Sequence, residues 1–203
     1  GRGCRQYPRA IKKQVTYIEM SITATKLAFI AKRSLELPQE KITSLAYLLN
    51  AEYLSECAEE LKKGKASGVD NRKLESYTKE EIGREIAETV VRMKAKKYKP
   101  KPAKRVWIEK LNGKLRPLGI PAIIDKVVQQ GIKKILEAIF EPHFLDFSFG
   151  FRPNRNCHQA LRAVYTMVMT KPINWIVDVD IKGFFDNVDH HWMIECLTRI
   201  SEV

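Results

Sequence analysis

Proline placement constrains this chain more than any other feature, because a proline removes a backbone donor and clashes with the preceding helical turn. Pro38 closes a first segment, residues 11–34, in which Val15, Ile18, Ile22, Leu27 and Ile30 recur near helical spacing without internal Gly or Pro. A second helical stretch covers about residues 39–62, and Gly64 and Gly68 mark its end and a flexible loop. Thr78, followed three residues later by Glu81, forms a capping box, so a third helix runs from there to about Lys96. Pro121 starts a fourth, with Ile124, Val127, Val128, Ile132, Ile135, Leu136 and Ile139 as a broad apolar face, and Pro142 ends it. Asn154 caps a fifth helix that reaches Met169 and stops at Pro172. Residues 173–181 read as a strand, and Asp189 caps a last helix to about Arg199.

The stretch between the third and fourth helices has a different character. From Arg92 to Arg116 there are eleven basic residues and one acid, Glu109, so this stretch holds +10 of the formal +12 of the chain. Arg105 to Glu109 alternates through Val106 and Ile108, Asn112 and Gly113 give a turn signal, and residues 114–120 form the return strand of a hairpin. A solvated face would mix signs, whereas acids are nearly absent here, so Lys96, Lys97, Lys99, Lys104 and Arg105 are read as contacts to nucleic-acid phosphates. The Trp107 ring either stacks on a base or shields its strand. Helices around a hairpin and a later strand make the fold class α+β.

Other classes are excluded by what the chain lacks. Its 203 residues are 44% hydrophobic, enough for a core. No apolar run reaches the roughly 18 residues that span a bilayer, and no signal peptide is readable. The expectation is a soluble, cytoplasmic, nucleic-acid-associated protein without membrane contact. Cys4, Cys57, Cys157 and Cys196 are scattered without a CxxC pair, so neither disulfides nor structural zinc are expected. Ser67 has no His or acid at nucleophile spacing, and His143 and His158 stand as isolated packing or surface residues.

Chemistry concentrates in residues 175–186, WIVDVDIKGFFD. On a strand, Asp178 and Asp180 would share one face about 7 Å apart, where they repel unless solvent or a cation intervenes. Oxygen-only ligands suit Mg²⁺, which needs few carboxylates when phosphates complete its shell. An exposed pair of acids or a helix cap explains a lone DxD equally well. Gly183, Phe184 and Phe185 favour the metal reading, since glycine admits close approach and aromatics pack on a sugar or base.

The segment VDVDIKGFFDNVDH (177–190) resembles the first catalytic-aspartate motif of reverse transcriptases, in the form seen in group II intron-encoded reverse transcriptases, or maturases. RPLGIPAIIDKVVQQGI (116–132) and FSFGFRPNRNCHQAL (147–161) resemble the preceding motifs of that family in the right order, and KGKASGVD (63–70) resembles a segment near its N-terminal extension. The resemblance implies a helical N-terminal extension (1–62), fingers with the basic hairpin (63–140) and the start of a palm (141–203). By it, Asp180 is the catalytic aspartate that ligates Mg²⁺, with the Ile181 carbonyl as a further ligand, and Phe185 packs against the incoming sugar. Asp178 and Asp186 flank the site in structural or hydrogen-bonding roles. Lys110 and Arg116 grip the nucleotide triphosphate, and Arg152, Asn154 and Arg155 touch the template or nascent base pair.

The same resemblance implies RNA-directed DNA synthesis with intron RNA, a DNA primer and dNTPs as partners, and assistance to splicing. An RNA-binding module without catalysis, or a reverse transcriptase of a CRISPR-linked or retron lineage, are the alternatives. Departures from the pattern are Glu109 and Leu111, where the family hairpin has prolines, and the absence before Val203 of the YADD motif and thumb. The expectation is therefore a fragment, inactive as a polymerase by itself, with an open sheet edge suited to homodimer formation.

Overall fold

The computed structural model describes residues 22–109 and 113–200. Helix α1 (Ile22–Glu36) matches the later part of the first predicted helix. The earlier part, together with Cys4 and Lys110, lies outside the described residues. The second predicted helix is shorter than expected. Ser44 adopts a left-handed φ of 63°, Leu45–Leu48 is a 3₁₀ turn, and α2 (Ala51–Glu59) begins only after Asn50, whose Oδ1 accepts the Tyr53 amide at 2.9 Å. An early Asn cap wins over continuous apolar periodicity because it satisfies amides that a helix start would otherwise orphan.

Helix α3 (Lys79–Lys94) opens with the expected box. The Glu81 amide donates to Thr78 Oγ1 at 3.1 Å and the Thr78 amide donates back to Glu81 Oε2 at 2.9 Å. Its far end closes in a Schellman turn, with the Lys97 amide on the Arg92 carbonyl (2.8 Å) and the Lys96 amide on Met93 (2.9 Å). Lys96 holds the left-handed position of that turn, at φ 55°.

Strands β1 (Lys104–Glu109) and β2 (Leu115–Ile120) pair antiparallel as the predicted hairpin. Helix α4 (Ile123–Phe140) follows, with Ala122 rather than Pro121 at its N-cap. Its inner face packs Val127, Val128, Ile135 and Ile139 against Ile30 of α1, Tyr53, Leu54 and Cys57 of α2, and Ile86 and Val90 of α3. Each such aliphatic side chain, fully buried, contributes about 1.5–3 kcal/mol. Gly131 permits the close α2–α4 approach, since a Cβ there would sit 3.0 Å from Leu54 and 3.3 Å from the Tyr53 ring. The Tyr53 hydroxyl donates to the Gly131 carbonyl at 2.8 Å.

His143 is less isolated than its sequence context suggests. The buried Ser34 hydroxyl donates to the Ile139 carbonyl at 2.8 Å and lies 2.7 Å from His143 Nε2. With the hydroxyl proton on the carbonyl, the ring must donate its Nε2–H to Ser34, which ties α1 to the end of α4.

Helix α5 (Cys157–Thr170) is capped by Asn156, not Asn154, in a second capping box with Gln159. Helix α6 (His190–Ile200) is capped as expected, with Asp189 Oδ1 accepting the His191 amide at 2.8 Å. The carbonyl of Ile200 accepts the Ile42 amide at 2.9 Å, returning this end of the chain to the core.

The predicted strand over residues 173–181 does not form; the segment is irregular and every side chain in it is exposed. A strand exists by pairing, and among the described residues the only sheet is the β1–β2 hairpin, so this stretch has no ladder to join. The α+β character rests on the hairpin and the helices around it. Among the described residues no helix is long and apolar enough to cross a membrane.

Candidate nucleic-acid interface

The basic hairpin is anchored at its base by one buried acid. Asp125, 4% exposed in the first turn of α4, accepts the Tyr98 hydroxyl on Oδ1 at 2.5 Å and the Lys101 amide on Oδ2 at 3.0 Å. The approach to β1 is thereby fixed to the core. Nothing in the sequence reading singled out Asp125; the one available signal was a lone acid within the apolar run Ile123 to Val128. Lys104 Nζ donates to Asn71 Oδ1 at 3.1 Å and Lys101 pairs with Asp70 at 3.8 Å, so the 63–71 loop braces the same base.

Gly68 in that loop is not a hinge. A Cβ on it would lie 2.7 Å from the Ala122 nitrogen and the Pro121 carbonyl, which makes it a close contact between the loop and the start of α4. Beside this contact is a cleft of about 410 Å³ whose lining includes Leu61, Leu118 and Ile120 with Lys62, Lys65 and Lys126. Lys126 Nζ donates to the Ala66 carbonyl at 3.0 Å, holding the loop over the helix. An apolar floor edged by ammonium groups suits a sugar or base with its phosphate outward.

Register decides what each hairpin face displays. Arg105 pairs with Gly119, Trp107 with Pro117 and Glu109 with Leu115 on one face; Lys104 pairs with Ile120, Val106 with Leu118 and Ile108 with Arg116 on the other. Lys96, Lys97, Lys99, Lys104, Arg105 and Arg116 are all exposed, as phosphate contact requires. The predicted triphosphate contact Lys110 lies outside the described residues.

The structure gives Arg152 a different task from the predicted template contact. Its side chain is 8% exposed, forks onto Glu141 (Nε to Oε1 3.0 Å, Nη2 to Oε1 2.8 Å), and donates through Nη1 to the carbonyls of Leu145 and Ser148 at 2.8 Å each. Such a guanidinium has little left to offer a phosphate. It shapes the loop that carries Phe151, fully exposed at φ 55°, and Asn154 at φ 59°. Arg155 donates to the Asp146 carbonyl at 3.0 Å and lies over the Phe149 ring, 5.5 Å from its centroid.

Asp180 is exposed, with Asp178 and Asp186 exposed on either side. A turn follows, in which Gly183 takes φ 63° and its carbonyl accepts the Asn187 side-chain amide at 2.7 Å. This turn presents Phe185, 86% exposed, with its ring edge-on to Phe184 at 5.3 Å between centroids. Among the described residues no three of His, Cys, Asp and Glu converge in a cluster able to hold a metal ion. Asp180 and Ile181 are both exposed, and a carboxylate and a main-chain carbonyl are hard oxygen donors of the kind that suit part of a Mg²⁺ shell.

Comparison with known proteins gives this geometry its context. Residues 95–202 match the family "Reverse transcriptase (RNA-dependent DNA polymerase)", a span that includes the hairpin, the Arg152 loop and Asp180. "Group II intron-encoded protein LtrA" of Lactococcus lactis subsp. cremoris is 37% identical over 180 residues, 86% of this chain and 29% of that protein. "Protein YkfC" of Escherichia coli (strain K12) is 42% identical over 106 residues, 50% of this chain and 28% of that protein. "Nuclear intron maturase 1, mitochondrial" of Arabidopsis thaliana is 32% identical over 80 residues, 39% of this chain and 11% of that protein. The chain thus spans less than a third of the length of each of these relatives.

Proposed function

Because the chain belongs to the reverse transcriptase (RNA-dependent DNA polymerase) family, we propose that it is the fingers and first part of the palm of a group II intron-encoded enzyme. That enzyme copies RNA into DNA and holds its intron RNA during splicing. The observation that carries this reading is the exposed cationic hairpin, fixed to the core through Asp125, inside the same family-matched stretch as Asp180.

The residues divide the work by chemistry. Lys96, Lys97, Lys99, Lys104 and Arg105 meet the RNA backbone, where each neutralised phosphate releases counterions. Arg116 offers a planar fork to the triphosphate of a dNTP, and Lys110 a point charge. Phe185 packs on the sugar, and Asn154 with Arg155 borders the template, on a loop that Arg152 and Glu141 hold in shape. Asp180, with the Ile181 carbonyl, would hold Mg²⁺, which would supply charge stabilisation to nucleotidyl transfer. The division into extension, fingers and palm at residues 62 and 140 belongs to the same proposal.

Substitution of Asp180 in the full-length enzyme separates catalysis from binding. With Asp180→Ala, extension of a DNA primer on an RNA template with dNTPs and Mg²⁺ falls to background, while intron RNA affinity keeps its salt dependence. Extension that survives the substitution overturns the catalytic assignment. An RNA affinity in the 203-residue chain that does not fall between 50 and 200 mM salt overturns the binding role.

A further inference from the structure

We propose that the hairpin face carrying Arg105, Trp107 and Pro117 is a stacking platform for single-stranded nucleic acid, distinct from the face that carries Arg116. The inference rests on the RNA-binding reading above and extends it to a second strand-contacting surface. The register is the first ground. Trp107 is opposite Pro117 and Arg116 is opposite Ile108, so the indole and the Arg116 guanidinium leave the two-stranded ribbon in opposite directions. A nucleotide held by Arg116 is therefore on the far side of the ribbon from the indole. Whatever Trp107 touches is a different segment of ligand.

Exposure is the second ground. Trp107 is 55% exposed, and Arg105 and Pro117 on its face are exposed with it. An indole and a proline ring on a cross-strand pair, about 5 Å apart at their Cβ atoms, form a flat apolar strip whose one polar group is the indole N–H at the ring edge. Any base can lie on such a strip, because every base has a π-face.

Charge identifies the occupant. Arg105 precedes Trp107 by two residues on the same face, about 7 Å away along the strand. Among the described residues Arg105 is in no ion pair, whereas its neighbour Lys104 is engaged by Asn71. A base stacked on Trp107 would have its phosphate within reach of that guanidinium. Glu109, at the other end of the row, repels phosphate there and directs the strand toward the Arg105 end, where the +10 segment continues through Lys101, Lys99 and Lys97. An apolar protein partner would have no use for so one-sided a charge, and a paired duplex could not lay bases on the strip. The anchoring of the hairpin base by Asp125 fixes the platform before binding, which reduces the ordering cost.

The test uses the three tryptophans of the chain. In a Trp175→Phe, Trp192→Phe background, Trp107 is the sole indole, and an unstructured 12-nucleotide RNA should quench its emission while a blunt RNA duplex of equal length should not. Anisotropy titrations with the same single strand should show Trp107→Ala binding about tenfold more weakly with an unchanged salt slope. Trp107→Phe should stay within about threefold, and Arg105→Ala should lower the slope by about one. Quenching in the sole-indole protein decides the matter if Trp107→Ala does not fold. Salt-dependent RNA binding with unmoved Trp107 emission, or equal quenching by duplex, overturns the platform while leaving the RNA-binding reading intact. Absence of salt-dependent binding by the unsubstituted chain overturns both.

Discussion

The Tyr98 hydroxyl and the buried Asp125 carboxylate meet at 2.5 Å, joining the segment ahead of β1 to the first turn of α4. Asp125 has its second oxygen on the Lys101 amide, so one acid organises two points of the hairpin base. Removing the acid takes the acceptor from the Lys101 amide and from the half-buried Tyr98 hydroxyl. Asp125→Ala should destabilise by about 3 kcal/mol and Tyr98→Phe by about 1 kcal/mol in urea unfolding. Amide exchange in 104–109 and 115–120 should quicken in both. Wild-type exchange in the hairpin of Asp125→Ala would show that the base is held by something else.

Alkaline pH should unfold the protein through its tyrosines. Burial pushes Tyr53 and Tyr98 above the usual phenol range, Asp125 adding to the effect on Tyr98, and burial together with the Glu85 charge pushes Tyr77 up to about 12. A phenol whose folded pKa exceeds its unfolded value near 10 contributes stability that is complete below pH 10 and is lost as pH rises through the folded value. Absorbance at 295 nm and helical ellipticity, followed together from pH 8 to 12, should show late-titrating phenols that ionise as the helices melt. All seven tyrosines ionising near pH 10 with the helices intact would contradict it.

Two glycines should respond to alanine in opposite directions. At Gly68 the new methyl would meet the Pro121 carbonyl and the Ala122 nitrogen at 2.7 Å, backbone atoms that cannot swing aside. Gly68→Ala should cost about 1–3 kcal/mol and loosen the 63–71 loop from α4. Gly83, within α3, has open space around the same position, so Gly83→Ala should stabilise by about 0.5–1 kcal/mol. Thermal melts of the pair suffice, and a Gly68→Ala melt at or above that of the unsubstituted protein would refute the packing argument for Gly68.

Arg152 should prove a positioning residue. Arg152→Lys retains the charge but loses the fork onto Glu141 and the reach to Leu145 and Ser148, so it should lose about 2–3 kcal/mol. A double-mutant cycle with Glu141→Gln should give a coupling above 1 kcal/mol. An RNA salt slope lower by about one in the charge-removing Arg152→Gln, with unchanged stability, would instead restore the phosphate contact.

Local signals carried far into the structure. The Thr78–Glu81 box, the Asp189 cap, the turn signal at 112–113 and the apolar face of the fourth helix all describe short-range chemistry, and they are seen, with Gly113 at φ 74°, apart from Asn112, which lies outside the described residues, and Ile132, which is exposed. What escaped depends on partners distant in sequence. Asp125 matters because Tyr98 folds back onto it, Gly68 because Pro121 arrives beside it, and His143 because Ser34 is 109 residues away. The strand expected over 173–181 failed for the same reason, since alternation marks a segment able to pair and says nothing of whether a neighbour is present. At the interface, the charge of the Arg92–Arg116 stretch was legible from composition, whereas the division of that charge between two faces required the register.

That register places a constraint on length as strict as any on residue identity. One extra residue in either strand would exchange inward and outward positions for everything beyond it, bringing a guanidinium to the side of the indole and an isoleucine to the side of the prolyl ring. Point changes along the ribbon can be graded in their effects; a single-codon insertion or deletion there would be all-or-none, merging two surfaces that alternation keeps apart.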